Sequence, residues 1–150
     1  MKEHLEQLLR YEKWANKKIL DALKTMKEQD ERCLDLMSHI LLVQMVWHNR
    51  IVNIAQPPIW DKKPLAELYK MHEENSKTLD AFFAKLTDKD FHNVVKYKDS
   101  KGNPYENTLK DLLAHLFNHS THHRGQIKER LRGKVAEMPT TDLIFFLREK

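Results

Sequence analysis

The sequence is poor in the residues that punctuate or staple β-rich folds. Its 150 residues include three glycines, five prolines and one cysteine. So few turn formers leave little material for an all-β chain. The lone Cys33 excludes an internal disulfide and any cysteine-based zinc cluster, and suits a reducing compartment. Long hydrophobic runs are missing too. The longest, Ile40 to Trp47, is broken by Gln44 and falls far short of the roughly 20 apolar residues that span a bilayer. The opening Met1-Lys2-Glu3-His4 is charged, with no apolar signal region behind it, so we expect a cytoplasmic protein with no membrane partner. Nor does one sign of charge dominate. Lys+Arg 26 against Asp+Glu 22 gives a formal +4, with acidic residues interleaved among the lysines. No DNA- or RNA-binding signature is present, so nucleic acid is not an expected partner. With 41% hydrophobic and 32% charged residues, the composition is globular, and the length fits one domain over 1–150.

What the chain has is helical periodicity. Leu5, Leu8, Leu9, Ala15, Ile19, Leu20, Leu23 and Met26 recur at helical spacing, with charges on the other face. A second run from Arg32 to Ala55 is the most apolar and therefore the most buried, and Pro57-Pro58 must stop it. Pro64 suits a first helical turn, and Leu65, Leu68, Tyr69, His72, Leu79, Phe82, Phe83 and Leu86 mark a third helix. From Thr87 to Asn107 the pattern lapses. Val94 to Tyr97 is β-inclined and Asp99 to Pro104 is rich in turn formers, which predicts a long connection with a small hairpin between helices running parallel. Thr108 with Asp111 forms an N-cap pair for a fourth helix that ends at Leu131, with Gly133 as its stop. Thr140-Thr141-Asp142 opens a short terminal helix. The fold class is all-α: a four-helix bundle with one long connection between helices 3 and 4 and a short C-terminal helix. Trp47, Phe117, Phe145 and Phe146 are read as core.

The chain also has nine histidines. Four of them, His115, His119, His122 and His123, fall within nine residues of the fourth helix. Buried imidazoles need partners for both ring nitrogens, and neutral imidazole is the commonest metal ligand. With His119 at zero on the helical wheel, His123 lies at about +40°, His115 at about −40° and His122 at about −60°. Leu112, Leu116 and Ile127 occupy roughly +20° to +80°, so His119 and His123 share the core stripe. Two imidazoles leave a metal half-coordinated, and a third ligand has to come from a neighbouring helix. The second helix offers His39 and His48, each with apolar neighbours on its own face, and spacing alone does not choose between them. A lone histidine on an apolar face is more often a hydrogen-bonded core residue, and His4, His72 and His92 are read as surface or ordinary packing residues.

Those residues carry a resemblance. His39-Ile40-Leu41 with Trp47, then Asn118-His119-Ser120-Thr121-His122-His123-Arg124-Gly125-Gln126, resemble the DinB family of the DinB/YfiT-like superfamily. The closing Pro139 to Phe146 is similar to that family's C-terminal signature, and Tyr11 to Asn16 to its opening helix. The resemblance implies a four-helix bundle holding one divalent ion, nickel or zinc, on His39, His119 and His123, and it decides against His48. It also implies a homodimer, and Tyr11 and Trp14 near the first apolar stripe are candidates for a surface covered by a partner. Some superfamily members are metal-dependent transferases or isomerases using a low-molecular-weight thiol. The resemblance therefore implies a small-molecule substrate and thiol-dependent transfer to small electrophiles. A metal-dependent hydrolase and a non-catalytic metal-stabilised stress protein are the alternatives. His-Glu-x-x-His is absent, which weighs against a zincin-type protease. Arg124, Lys128, Arg130 and Arg132 are candidates to hold an anionic thiol, though a solvated helix end complementing the dipole explains them better.

Overall fold

The computed structural model describes residues 1–149. Four long helices make the body: α1 (Lys2–Lys24), α2 (Glu31–Val52), α3 (Leu65–Ala84) and α4 (Leu109–Leu131). A 3-10 turn at Asp90–His92 and an antiparallel hairpin of β1 (Val94–Lys98) and β2 (Pro104–Thr108) lie between α3 and α4, and α5 (Leu143–Arg148) closes the chain. Val94 pairs with Thr108 and Tyr97 with Tyr105.

Helix boundaries follow local chemistry. The Asp30 carboxylate accepts from the backbone N–H groups of Arg32 and Cys33 and opens α2. Asn53, at φ 59, ends it two residues before the expected Ala55, because asparagine tolerates the left-handed conformation. Thr108 Oγ1 accepts from the Asp111 N–H and opens α4, and Gly133, at φ 72, stops it. The turn between β1 and β2 is held by Asp99, whose Oδ1 accepts from the Lys101 and Asn103 N–H groups at 2.8 Å.

The core has two halves. One is built on Leu5 and Leu9 of α1, Val43 and Trp47 of α2, Leu79 and Phe83 of α3, and Leu109 to Phe117 of α4. The other takes Ile19 to Leu23, Cys33 to Leu41, Leu68, Ile127 and Leu131. Thus α1 and α4 run one way, α2 and α3 the other. The expected parallel pairing of α3 with α4 is therefore corrected. Their connection folds up as a hairpin at one end, and the parallel pair is α2 and α3. Residues 53–64 join that pair by running back along α2, where Ser38 Oγ donates to the Asp61 carbonyl and Lys62 meets Glu31. This strap is held extended by Pro57-Pro58.

Helix α5 packs on α1. Tyr11 donates from its hydroxyl to the Thr141 carbonyl at 2.7 Å, Trp14 Nε1 donates to Glu149, and Phe146 lies 5.6 Å from Trp14. The chain's own C-terminus thus covers the two aromatics read as a partner surface. Phe145, expected in the core, is exposed, because only one face of so short a helix can reach α1.

Candidate metal centre

The sequence places His39 in the middle of α2, where Leu36, Ile40 and Val43 bury the helix on both sides. On α4, His119 and His123 are one turn apart and their rings stack edge to face at 4.5 Å. Because α2 and α4 are antiparallel neighbours, all three imidazoles converge. His39 Nε2 lies 3.1 Å from His119 Nε2, the His39 and His123 rings are 4.7 Å apart, and one ligand atom from each residue falls within 4.8 Å of the others. Zinc–nitrogen bonds of about 2.0–2.1 Å in a tetrahedron set ligand atoms roughly 3.3 Å apart, so a shared ion needs only small movements.

The outer nitrogens of His39 and His123 are held by groups outside the trio. His39 Nδ1 donates to the Ile59 carbonyl at 2.8 Å, and its ring stacks on Trp60 at 3.7 Å and 6°. His123 Nδ1 donates to Gln126 Oε1 at 2.7 Å. Both bonds leave Nε2 without its hydrogen and free to bind, the tautomer a metal requires, and in His39 that atom faces His119. Bare His39 Nε2 so close to His119 Nε2 needs a shared proton or a shared cation between them. His119 Nδ1 is buried with no partner, which makes this ring the least satisfied of the three. The donor set therefore fits a divalent ion. Sequence reasoning assigned no role to Ile59, Trp60 or Gln126. The spacing of Gln126, three residues past His123 on a helix, is the signal that was available.

Burial, followed by the neighbouring His123 and His39, pushes the His119 pKa from 6.5 down to about 3. Burial also lowers His39, and lowers His115 with help from Arg50. His39 and His119 are thus held neutral at pH 7 without having to lose protons to a metal. Depressed histidines have a stability consequence. Between pH 6.5 and about 3 the unfolded chain binds more protons than the folded one, so stability is complete above 6.5 and is lost as pH falls towards 3. For chelator-treated protein, urea unfolding should show a loss of at least about 1 kcal/mol between pH 7 and pH 4.5. His119→Gln should flatten that slope, and an unchanged slope would contradict the assignment.

The remaining sequence candidates lie elsewhere. His48 bonds Asn49 through Nδ1 and sets its ring edge on Phe82 of α3, away from the trio. His115 keeps one edge in solvent while its ring packs edge-on to Trp47, 5.9 Å from the His119 ring, and His122 is exposed beside His123. The four basic residues proposed to hold an anion are corrected. Arg124 is buried against Glu12, while Arg130 meets Asp30, Arg132 meets Glu129 and Lys128 approaches Asp142. Cys33 is fully buried, and burial with the nearby Asp30 carboxylate pushes its thiol up to about 11. It is not a nucleophile at neutral pH.

Comparison with known proteins agrees with this architecture. The chain is 24% identical over 168 aligned positions to Protein DinB of Bacillus subtilis (strain 168), covering 98% of this chain and 95% of that protein. The sequence profile of the DinB family matches residues 1–150. The chain belongs to the DinB family.

Proposed function

We propose that the protein binds one divalent ion, nickel or zinc, through His39, His119 and His123, and transfers a low-molecular-weight thiol to small electrophiles. The observation that carries this reading is the composition of the centre: three imidazoles, with no carboxylate or thiolate, and, among the described residues, no fourth protein ligand. A closed structural zinc site has four protein ligands, whereas three leave a position for an exogenous group. A divalent ion there supplies charge that favours the thiolate over the thiol.

The chain's own groups do the rest. Ile59 and Gln126 fix the His39 and His123 rings through their Nδ1 hydrogens. Trp60 lies flat on His39 and shields one side of the centre from water. No carboxylate joins the three histidines, which leaves water activation without its usual base and favours thiol chemistry over hydrolysis. With Cys33 buried, the thiol is supplied from outside. The homodimer that family membership implies would need a face other than Tyr11 and Trp14. Exposed Leu143, Ile144, Phe145 and Leu147 on α5 offer one.

Cobalt-substituted protein titrated with a small thiol tests the reading. A sulfur-to-cobalt charge-transfer band saturating at one thiol per metal is expected. With the metal retained, an unchanged spectrum would make the ion a structural staple for the bundle.

A further inference from the structure

About three turns beyond His39 along α2, the end of that helix, the strap and the hairpin bound a cleft of about 850 Å³ that the reading above does not use. It has the size of a small-molecule site, typically about 300–1,000 Å³. Arg50, Lys96 and Lys98 bring three cations to its lining, against the single carboxylate of Glu106.

Arg50 is the unusual member. It is half-buried, and its head lies over Trp47 at 4.7 Å and near Tyr97 at 5.8 Å. Its Nε donates to Gln56 Oε1 at 3.1 Å, which leaves both terminal amino groups of the fork free. Among the described residues no carboxylate pairs with it. Asp99, whose charge reaches it, is committed to the hairpin turn through Lys101 and Asn103. Glu106 faces Lys96 across the hairpin. A guanidinium taken partly out of water, stacked on two rings and unpaired, is arranged for bidentate recognition of an oxyanion.

One residue of the cleft, Tyr97, is shared with the surroundings of His115. Tyr97 lines both the cleft and a smaller cavity of about 280 Å³ bounded by Trp47, Asn107, Asp111, Leu112 and His115. His115 is the neighbour of His119.

We propose that this cleft binds a small carboxylate- or phosphate-bearing molecule, with Arg50 as its anchor and Lys96 and Lys98 as supporting cations. As the seat for the anionic end of the substrate or thiol, it rests on the small-molecule reading above. As a binding site, it does not.

The test is NMR titration of zinc-loaded, full-length protein with succinate and, separately, inorganic phosphate, at low ionic strength because exposed cations are screened by salt. Saturable shifts are expected at the Arg50 Nε–H and at the amides of Lys96 to Lys98. Arg50→Gln should weaken binding about tenfold or more, since a charge-assisted fork is lost. Lys96→Gln with Lys98→Gln should weaken it several-fold, and Glu106→Gln should tighten it by relieving repulsion. Whichever anion binds more tightly identifies the ligand's charged group. Shifts confined to histidine signals would place the anion on the zinc alone and overturn the proposal. Unchanged affinity in folded Arg50→Gln or in the lysine pair would overturn it as well. The thiol titration on cobalt protein reads the metal chemistry separately. Its failure with succinate or phosphate binding intact removes the thiol and leaves the cleft.

Discussion

Replacing His119 with alanine is expected to strip the protein of its metal, with affinity falling about a hundredfold or more. Even an outer-sphere partner of a ligand costs on the order of 10–100-fold when removed, and His119 is one corner of the trio, its Nε2 3.1 Å from His39 Nε2. His39→Ala and His123→Ala should fall in the same class, because two imidazoles cannot complete a site for a borderline-soft ion. His48→Ala should keep a full complement of metal, since that ring is turned to Phe82 and Asn49. Elemental analysis after dialysis distinguishes the four. Metal loss in His48→Ala equal to that in His119→Ala would overturn the assignment, as would full occupancy in His39→Ala. The metal-binding variants should also lose the rise in melting temperature that added metal gives the native chain. A ligand bound only to the folded state stabilises it according to its excess over Kd.

The helical wheel on α4 was enough to bring His119 and His123 to one stripe, because a helix carries its own geometry. Choosing His39 over His48 was not possible from spacing, since both faces of α2 are apolar and only the packing of α3 and α4 distinguishes them. The family resemblance made that choice. Ile59 was out of reach for a different reason: a backbone carbonyl has no side-chain signature, and Pro57-Pro58 was legible as a stop but not as the start of a strap returning along α2. The direction of α3 depended on that strap, so the parallel pair was misplaced with it. Arg124 was read as part of a basic end because its partner is 112 residues away in sequence. A signal did exist. Positions 5, 9, 12, 16, 19 and 23 form one helical stripe, and Glu12 and Asn16 interrupt it with polar groups. On a buried stripe such groups must find partners, and Gln44 interrupts the α2 run in the same way.

Arg124→Ala is expected to cost about 3–5 kcal/mol, the usual consequence of leaving a buried charge without its partner. Arg124 Nη1 donates to Glu12 Oε2 at 2.6 Å and to Asn16 Oδ1 at 2.8 Å, while Nη2 donates to Thr121. Glu12 Oε1 accepts from Asn16 and from Gln44, and Gln44 in turn accepts from Asn75, which also donates to the Leu41 carbonyl. One network thus ties all four long helices together at the level of the metal centre, with Arg124 next in sequence to His123. Burial works against the guanidinium charge, but the Glu12 carboxylate outweighs it and holds the pKa above the ordinary arginine value. Removing only the cation leaves Glu12 fully buried and charged, and the carboxylate must then take up a proton or draw in water. Replacing both partners by apolar groups of similar volume, Glu12→Leu with Arg124→Met, should recover most of that loss, because buried ion pairs repay little beyond their own desolvation. Urea denaturation of the two single variants and the double closes the cycle. A loss below about 1 kcal/mol in Arg124→Ala would mean that the pair is not desolvated as the structure shows. A double variant as unstable as the single would mean that Asn16 and Gln44, left with unanswered hydrogen bonds, hold more of the stability than the charges do.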